Sequence, residues 1–262
     1  FSLLKRIGIL ALSFSIVLPL CSRAASAGTQ PLTADIVCED FAPFFSHSLP
    51  VDGMVGEIVR EAYKDSGVAI RFSYVPYARA LTYLKEGKYP VHVGTSAVFS
   101  EGEKSAMIIR PFMRIRWRLF TYGKPAPEFK ALADLKALQI GSYIGAFDTA
   151  LYRKAGLQPF EQSSMDALLK MLHYGRVDAV SIVDMAFYAK AKQLYPNESD
   201  QFKASAPVFQ TDGSVMFSKK HPDGEKLSLI FEKGLAELKR SGRLRQIVER
   251  YYGGKVPPNT LY

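Results

Sequence analysis

Apolar positions along the chain alternate between short continuous runs and helical stripes, and this alternation predicts a mixed α/β fold. Asp35–Cys38 reads as a strand. Met54–Ser66 carries Met54, Ile58, Val59, Ala62 and Tyr63 on one side, ends before Gly67 and reads as a helix. A strand at Ile70–Val75 follows, Pro76 opens a helix that runs through Ala80, Leu81 and Leu84 to Gly87, and Val91–Gly94 makes a third strand. The rhythm resumes after Trp117, with a strand at Leu138–Ile140, helices at Phe147–Lys154 and Met165–Tyr174, and a strand at Asp178–Val183. Pro222–Tyr252 repeats apolar residues at helical spacing, broken at Ser241-Gly242, and predicts two closing helices. Two successive α/β units therefore precede a helical ending, and the last ten residues, 253–262, are expected to be an irregular tail. In such folds small ligands bind at the loops beyond the strand ends.

The first residues follow a different pattern. Lys5 and Arg6 precede the apolar stretch Ile7–Leu20, and small residues ending Ala25-Ser26-Ala27 come next, the plan of a cleaved export signal. The stretch is shorter than the roughly 20 residues a membrane-crossing helix needs. Cleavage is expected after Ala27, because the bulky Leu20 argues against lipidation at Cys21. Residues 1–27 are thus expected to be a signal peptide and the product periplasmic. Cys38 is then the one cysteine left, so the folded chain must be held by its core rather than by a disulfide.

Hydrophobic residues make up 48% and charged residues 23%, which excludes disordered and collagen-like classes and supplies material for one or two cores. The formal charge of +9 includes Lys5, Arg6 and Arg23 of the leader, and no basic run concentrates the rest. No nucleic-acid partner is expected.

Signatures of catalysis are missing from the sequence. His47, His92, His173 and His221 are scattered, with no paired spacing, and there is neither a GxSxG elbow nor a phosphate-binding loop. No metal, no cofactor and no catalytic residue are expected. Gly141-Ser142-Tyr143-Ile144-Gly145, between a strand and a helix, reads either as a plain turn or as a helix start whose N–H groups meet an anion. Phe41, Phe44, Phe45, Tyr77, Tyr143 and Phe147 follow predicted strands and read either as core or as rings walling an organic ligand. Arg79 stands in a first helical turn, where the dipole disfavours a cation. It either meets an anion or lies solvated on the surface.

Read together, Tyr74-Val75-Pro76-Tyr77-Ala78-Arg79-Ala80-Leu81, Val91-His92-Val93-Gly94, Ile109-Arg110-Pro111-Phe112, Ala133-Asp134-Leu135-Lys136, Gly175-Arg176-Val177-Asp178-Ala179 and the ending Gly234–Gly242 with Tyr251-Tyr252-Gly253 resemble family 3 of the bacterial periplasmic solute-binding proteins. The resemblance spans about residues 35–253. It implies the type II periplasmic binding protein fold: two α/β lobes joined by two crossing strands, with a ligand cleft between them. The lobes would comprise residues 28–118 and 119–211, with 212–252 returning to the first and crossings near Arg118–Tyr122 and Thr211–Val215.

The implied activity is non-catalytic binding of a small polar solute, anionic or zwitterionic, by a monomer that delivers it to an ABC importer, with a membrane permease or receptor as partner. The site would join Phe44, Tyr77, Arg79, Thr95 and Ser96 of the first lobe to Ser142, Tyr143, Gly145 and Phe147 of the second. Where amino-acid-binding members carry Thr-x-x-Arg for the ligand carboxylate, this chain has Phe99-Ser100-Glu101-Gly102-Glu103-Lys104, leaving Lys104 as a point-charge substitute. Asp184 is the candidate for an ammonium group, six residues past Asp178 where five is usual in the family. The fold is also similar to that of secreted dehydratases acting on cyclic carboxylates, which would draw on Glu57, Asp148 and Asp184. A ligand-sensing scaffold without transport is the third reading.

Overall fold

The computed structural model describes residues 31–95, 97, 99–144, 146–252 and 256–262; the expected signal peptide, Ser96 and Gly145 lie outside them. One eight-stranded sheet runs through the molecule in the order β2-β1-β3-β8-β4-β7-β5-β6. At one end β1 (Thr33–Cys38) pairs in parallel with β2 (Ala69–Tyr74) and β3 (Val91–Thr95). At the other, β5 (Ile140–Tyr143) pairs in parallel with β6 (Phe160–Gln162) and β7 (Ala179–Val183). Parallel neighbours require crossovers, and α1 (Gly53–Tyr63), α2 (Tyr77–Glu86), α4 (Phe147–Lys154) and α5 (Met165–His173) lie between those strands in the chain.

Two long antiparallel strands, β4 (Met107–Tyr122) and β8 (Phe202–Ser218), join the two ends. Their 16 and 17 residues far exceed a usual strand of about 5–6. β8 pairs with β3 from Phe217 back to Gly213, and β4 pairs with β7 from Trp117 to Phe120. The passage between the two ends is therefore Met113–Arg116 on β4 and Gln210–Asp212 on β8: the second overlaps the expected crossing at Thr211–Val215, whereas the first precedes the expected Arg118–Tyr122, because Arg118–Phe120 already pair with β7. Register shifts at Pro111/Met113 and on either side of Arg118 bend the pair. Pro111, which cannot donate to the ladder, stands at the first of these shifts.

Each end has its own core. Met54, Ile58, Phe231, Leu235, Leu244 and Ile247 bury α1, α7 (Gly224–Arg240) and α8 (Arg243–Tyr252) against β1, β3 and β8. At the far end Phe120 stacks on Phe187 of α6 (Asp184–Leu194) at 3.7 Å, beside Leu168, Leu169 and Leu172 of α5. The sequence reading passed over α6, because strand β7 runs into it with no cap residue between. It also passed over the one-turn helix α3 (Glu101–Ser105), whose capping box of Ser100 and Glu103 was a readable signal.

Along its described part the tail forms no helix or strand, yet it is pinned to β4. Leu261 bridges to Met113, the Arg114 N–H donates to the Thr260 carbonyl at 2.6 Å, and Thr260 is buried. The Arg116 guanidinium donates to Thr260 Oγ1 at 2.7 Å and to the Pro258 carbonyl at 2.8 Å. Residues 256–262 thus line the connecting strand, and its alternating arginines explain why.

Candidate functional site

A cavity of about 560 Å³ opens at the carboxyl ends of the parallel strands and draws its walls from both ends of the sheet. Strand periodicity builds its floor. In β4, Ile115 and Trp117 face the cavity while Arg114 and Arg116 between them take the opposite side toward the tail. Gly213 lies across from Met113 on β8 and also lines the floor, where an added Cβ would sit 2.9 Å from Ile115 Cδ1.

The walls come from the strand-end loops. Beyond β1, the Phe41 N–H donates to the Phe45 carbonyl at 2.7 Å, closing a turn that stacks Phe41 on Phe44 at 5.7 Å. Glu39, Phe41, Phe44 and Phe45 all reach the cavity. Pro76, extended at φ −53° and ψ 138°, precedes α2 and sets Tyr77 and Ala78 at its mouth; Gly94 and Thr95 end β3 beside them. Tyr143, Ile144, Ala146 and Phe147 close the far wall at the start of α4, and Phe147 packs on Phe209 with ring centroids 4.7 Å apart.

Of the residues expected to form the site, Phe44, Tyr77, Thr95, Tyr143 and Phe147 line this cavity. The Thr95 hydroxyl also bonds Thr211 Oγ1 at 2.9 Å, tying β3 to the connecting strand β8. Four others lie elsewhere. Arg79 is exposed on α2, because the helical turn that brings Tyr77 and Ala78 to the cavity carries the next residue away from it. Lys104 is on α3, paired with Glu101 at 2.7 Å, while its neighbour Glu103 is held down to about 2, first by the Ser100 N–H. Ser142 is buried behind the wall and bonds Thr149 Oγ1 at 2.9 Å. Asp184 is buried where it accepts from the Met185 N–H at 2.7 Å and Tyr252 Oη at 3.2 Å, with Arg118 Nε at 3.5 Å.

Asp184 therefore ties α6 to the last turn of α8. Burial raises its carboxyl, and the Met185 N–H and the arginine charges offset that in part. Replacement by alanine strands Arg118 and frees Tyr252. Asp184→Ala is expected to lose about 2–3 kcal/mol in denaturant unfolding, with solute affinity unchanged; a loss of affinity at full stability would return Asp184 to the site.

The sequence reading missed Glu39, Phe112, Ile115, Trp117, Ser181 and Val183, all of which line the cavity. Glu39 had a signal, since it directly follows a predicted strand. Among the described residues it is the one charged side chain of the lining, and burial pushes its carboxyl up to about 7. Behind Ser181 lies a buried chain: Tyr152 Oη donates to Ser181 Oγ at 3.0 Å, and Ser181 Oγ donates to Asp148 Oδ2. Burial raises Asp148 to about 6, offset first by the Ser181 bond. His92 is buried beneath β3, where its Nδ1–H donates to the Val37 carbonyl at 2.7 Å and burial lowers it to about 4. Among the described residues no cluster of three or more His, Cys, Asp or Glu could hold a metal ion, and no helix is long and apolar enough to cross a membrane.

Over residues 36–254 the chain matches the family described as bacterial extracellular solute-binding proteins, family 3, and it belongs to that family. Solved structures share its fold. The substrate-binding protein of an amino acid ABC transporter is 18% identical and superposes with a TM-score of 0.62, over 85% of this chain and 99% of that one. A histidine kinase sensor domain with similarity to periplasmic binding proteins is 18% identical, TM-score 0.66, over 87% and 98%. The GluR0 ligand-binding core in complex with L-glutamate is 16% identical, TM-score 0.68, over 86% and 100%. No curated protein sequence matches the chain.

Proposed function

We propose that the protein is a periplasmic receptor that closes its two lobes around a small organic solute, without chemical conversion, and presents it to a membrane partner. The observation that carries this reading is the cavity itself, whose walls come from strand ends on both sides of β4 and β8, so that one ligand bridges both ends of the sheet. We take the lobes as 28–118 with 212–252, and 119–211; the cores around Phe231 and Phe120 support this division, with Val183, Met185 and Ala186 packing into the first. An importer permease is the expected partner, in keeping with the transporter component of the same fold, and a signalling receptor is the second candidate, in keeping with the kinase sensor domain.

A dehydratase would need an acid and a base against its substrate. Glu57 is instead held by Arg250 at 2.7 Å and Arg243 at 3.2 Å, Asp184 is held by Arg118 and Tyr252, and Asp148 lies behind Ser181. The solute expected from sequence is anionic or zwitterionic, and its carboxylate would find neither Arg79 nor Lys104 in the lining. An apolar body suits the lining better.

Trp117, the single tryptophan, lines the cavity and reports its occupancy. In a screen of the mature protein against amines, amino acids, organic acids and sugars, a true solute is expected to shift Trp117 emission and raise the melting temperature saturably. At a hundredfold excess over Kd the stabilisation is about 2.7 kcal/mol. Silence across the panel would sink the reading, and product formation from a cyclic carboxylate would replace it with the enzymatic one.

A further inference from the structure

We infer that the cleft selects an organic cation with an aromatic or aliphatic body and no carboxylate, an aralkyl amine or quaternary ammonium, with Glu39 as its counter-charge. This rests on the solute-binding reading and narrows it.

Three features of the cavity converge on that class. The first is charge. Among the described residues Glu39 is the sole one of the lining with a formal charge, and it forms no ion pair there. The four arginines of the neighbouring strand are engaged elsewhere: Arg110 with Glu232 at 2.9 Å, Arg114 with Tyr262 Oη at 3.3 Å, Arg116 with the tail, and Arg118 with the Ser205 carbonyl at 2.6 Å and Asp184. A ligand carboxylate would enter a site with no cation to meet it and a second carboxyl close by, and an unpaired buried charge is strongly disfavoured.

The second is the helix start at α4, which could otherwise attract an anion. Asp148, in its first turn and almost fully buried, already puts a carboxyl there, so its dipole is answered from within. The third is the wall. Phe41, Phe44, Tyr77, Trp117, Tyr143 and Phe147 present rings, whose faces attract a cation and whose area rewards an apolar body. Cations are drawn to ring faces most strongly when stripped of water, and a site with one carboxylate among eight aromatic residues supplies both halves of such recognition. Burial raises the Glu39 carboxyl to about 7 in the empty cleft, and an arriving cation favours its ionised form.

The test titrates the mature protein with phenethylamine, benzyltrimethylammonium, phenylalanine and 3-phenylpropionate, reading Trp117 emission and melting temperature at low ionic strength. The two cations are expected to bind saturably, phenylalanine at least about tenfold more weakly, and phenylpropionate not at all. Glu39→Gln is expected to weaken phenethylamine by about tenfold or more while the unliganded melting temperature is held or, above pH ~7, raised. If that variant does not fold, the ranking on the unaltered protein still decides. Tighter binding of phenylalanine or phenylpropionate, or of any carboxylate-bearing solute in the wider screen, would overturn the cation class and leave the solute-binding reading standing. So would an unchanged Kd in a folded Glu39→Gln. A failure of every compound, wider screen included, would overturn both.

Discussion

Affinity for phenethylamine is expected to rise by up to about two orders of magnitude between pH ~5 and pH ~8, and then to level off. The Glu39 carboxyl, raised to about 7 by burial, is almost wholly protonated at the lower pH and mostly ionised at the higher, and only the ionised form pairs with the ammonium. The other groups around the cleft do not reverse this sign. Tyr77 and Cys38 are both pushed up by burial and stay neutral across the range, and Asp40 is paired with His47. Asp148 ionises near 6 and adds negative charge in the same direction, while His92, lowered to about 4, is neutral throughout. Isothermal titration at several pH values checks the prediction. Proton release should accompany binding below pH ~7, and Glu39→Gln should flatten most of the slope; a wild-type Kd that does not move with pH would refute it.

Glu39 leaves a second, oppositely signed trace on the unliganded protein. Its folded-state value of about 7 exceeds the reference value of 4.5, so the folded state holds the proton longer than the unfolded chain does. Its contribution to stability is fully present below pH 4.5 and is lost as pH rises through about 7, by at most about 3 kcal/mol. His92 works the other way, since its contribution is present above 6.5 and is lost as pH falls through about 4. The two windows overlap between 4.5 and 6.5, where they oppose each other. Ligand binding, not unfolding, is therefore where the Glu39 titration is seen most cleanly.

The regular α/β elements were legible in the sequence because period and punctuation agree: Pro76 precedes α2, Gly87 follows it, and the run Val91–Gly94 fills β3. The long connecting strands were harder to read. Met113–Leu119 does alternate apolar residues with Arg114, Arg116 and Arg118, yet arginines facing a tail far along the chain look identical in sequence to arginines facing water. The ring-bearing loops were legible as candidates because rings that follow strands recur on both α/β units. Helical phase decides between Tyr77 and Arg79, and spacing alone does not fix that phase relative to a cleft. Glu39 escaped for a related reason. Its place just after β1 was a readable signal, but its role depends on the absence of a neighbouring cation, which the order of residues does not record.

Gly234→Val is expected to cost about 3 kcal/mol or more, and Gly234→Ala about 1–3 kcal/mol. Gly234 sits within α7, where glycine is a poor helix former, and alanine would ordinarily gain close to 1 kcal/mol. Packing reverses that expectation. A Cβ added at Gly234 would stand 1.8 Å from the Ala62 carbonyl oxygen and 2.6 Å from its carbon, so α7 meets the last turn of α1 backbone to backbone. Neither atom is the end of a flexible side chain, and the two helices must separate to admit a methyl group. Separation would loosen the hydrogen bond from Tyr63 Oη to the Leu227 carbonyl at 2.8 Å and the Tyr63–Phe231 contact at 5.8 Å, both deep in the core that returns the chain's end to β1. For a domain of this size the valine change should lower the melting midpoint by about 6–12 °C. Gly102→Ala, in α3 with open space around it, is the control and should be neutral or slightly stabilising. Because Gly234 is not among the residues lining the cavity, phenethylamine should bind the folded variant with unchanged Kd; a Gly234→Val protein that melts with the wild type would mean that α1 and α7 are not in direct backbone contact.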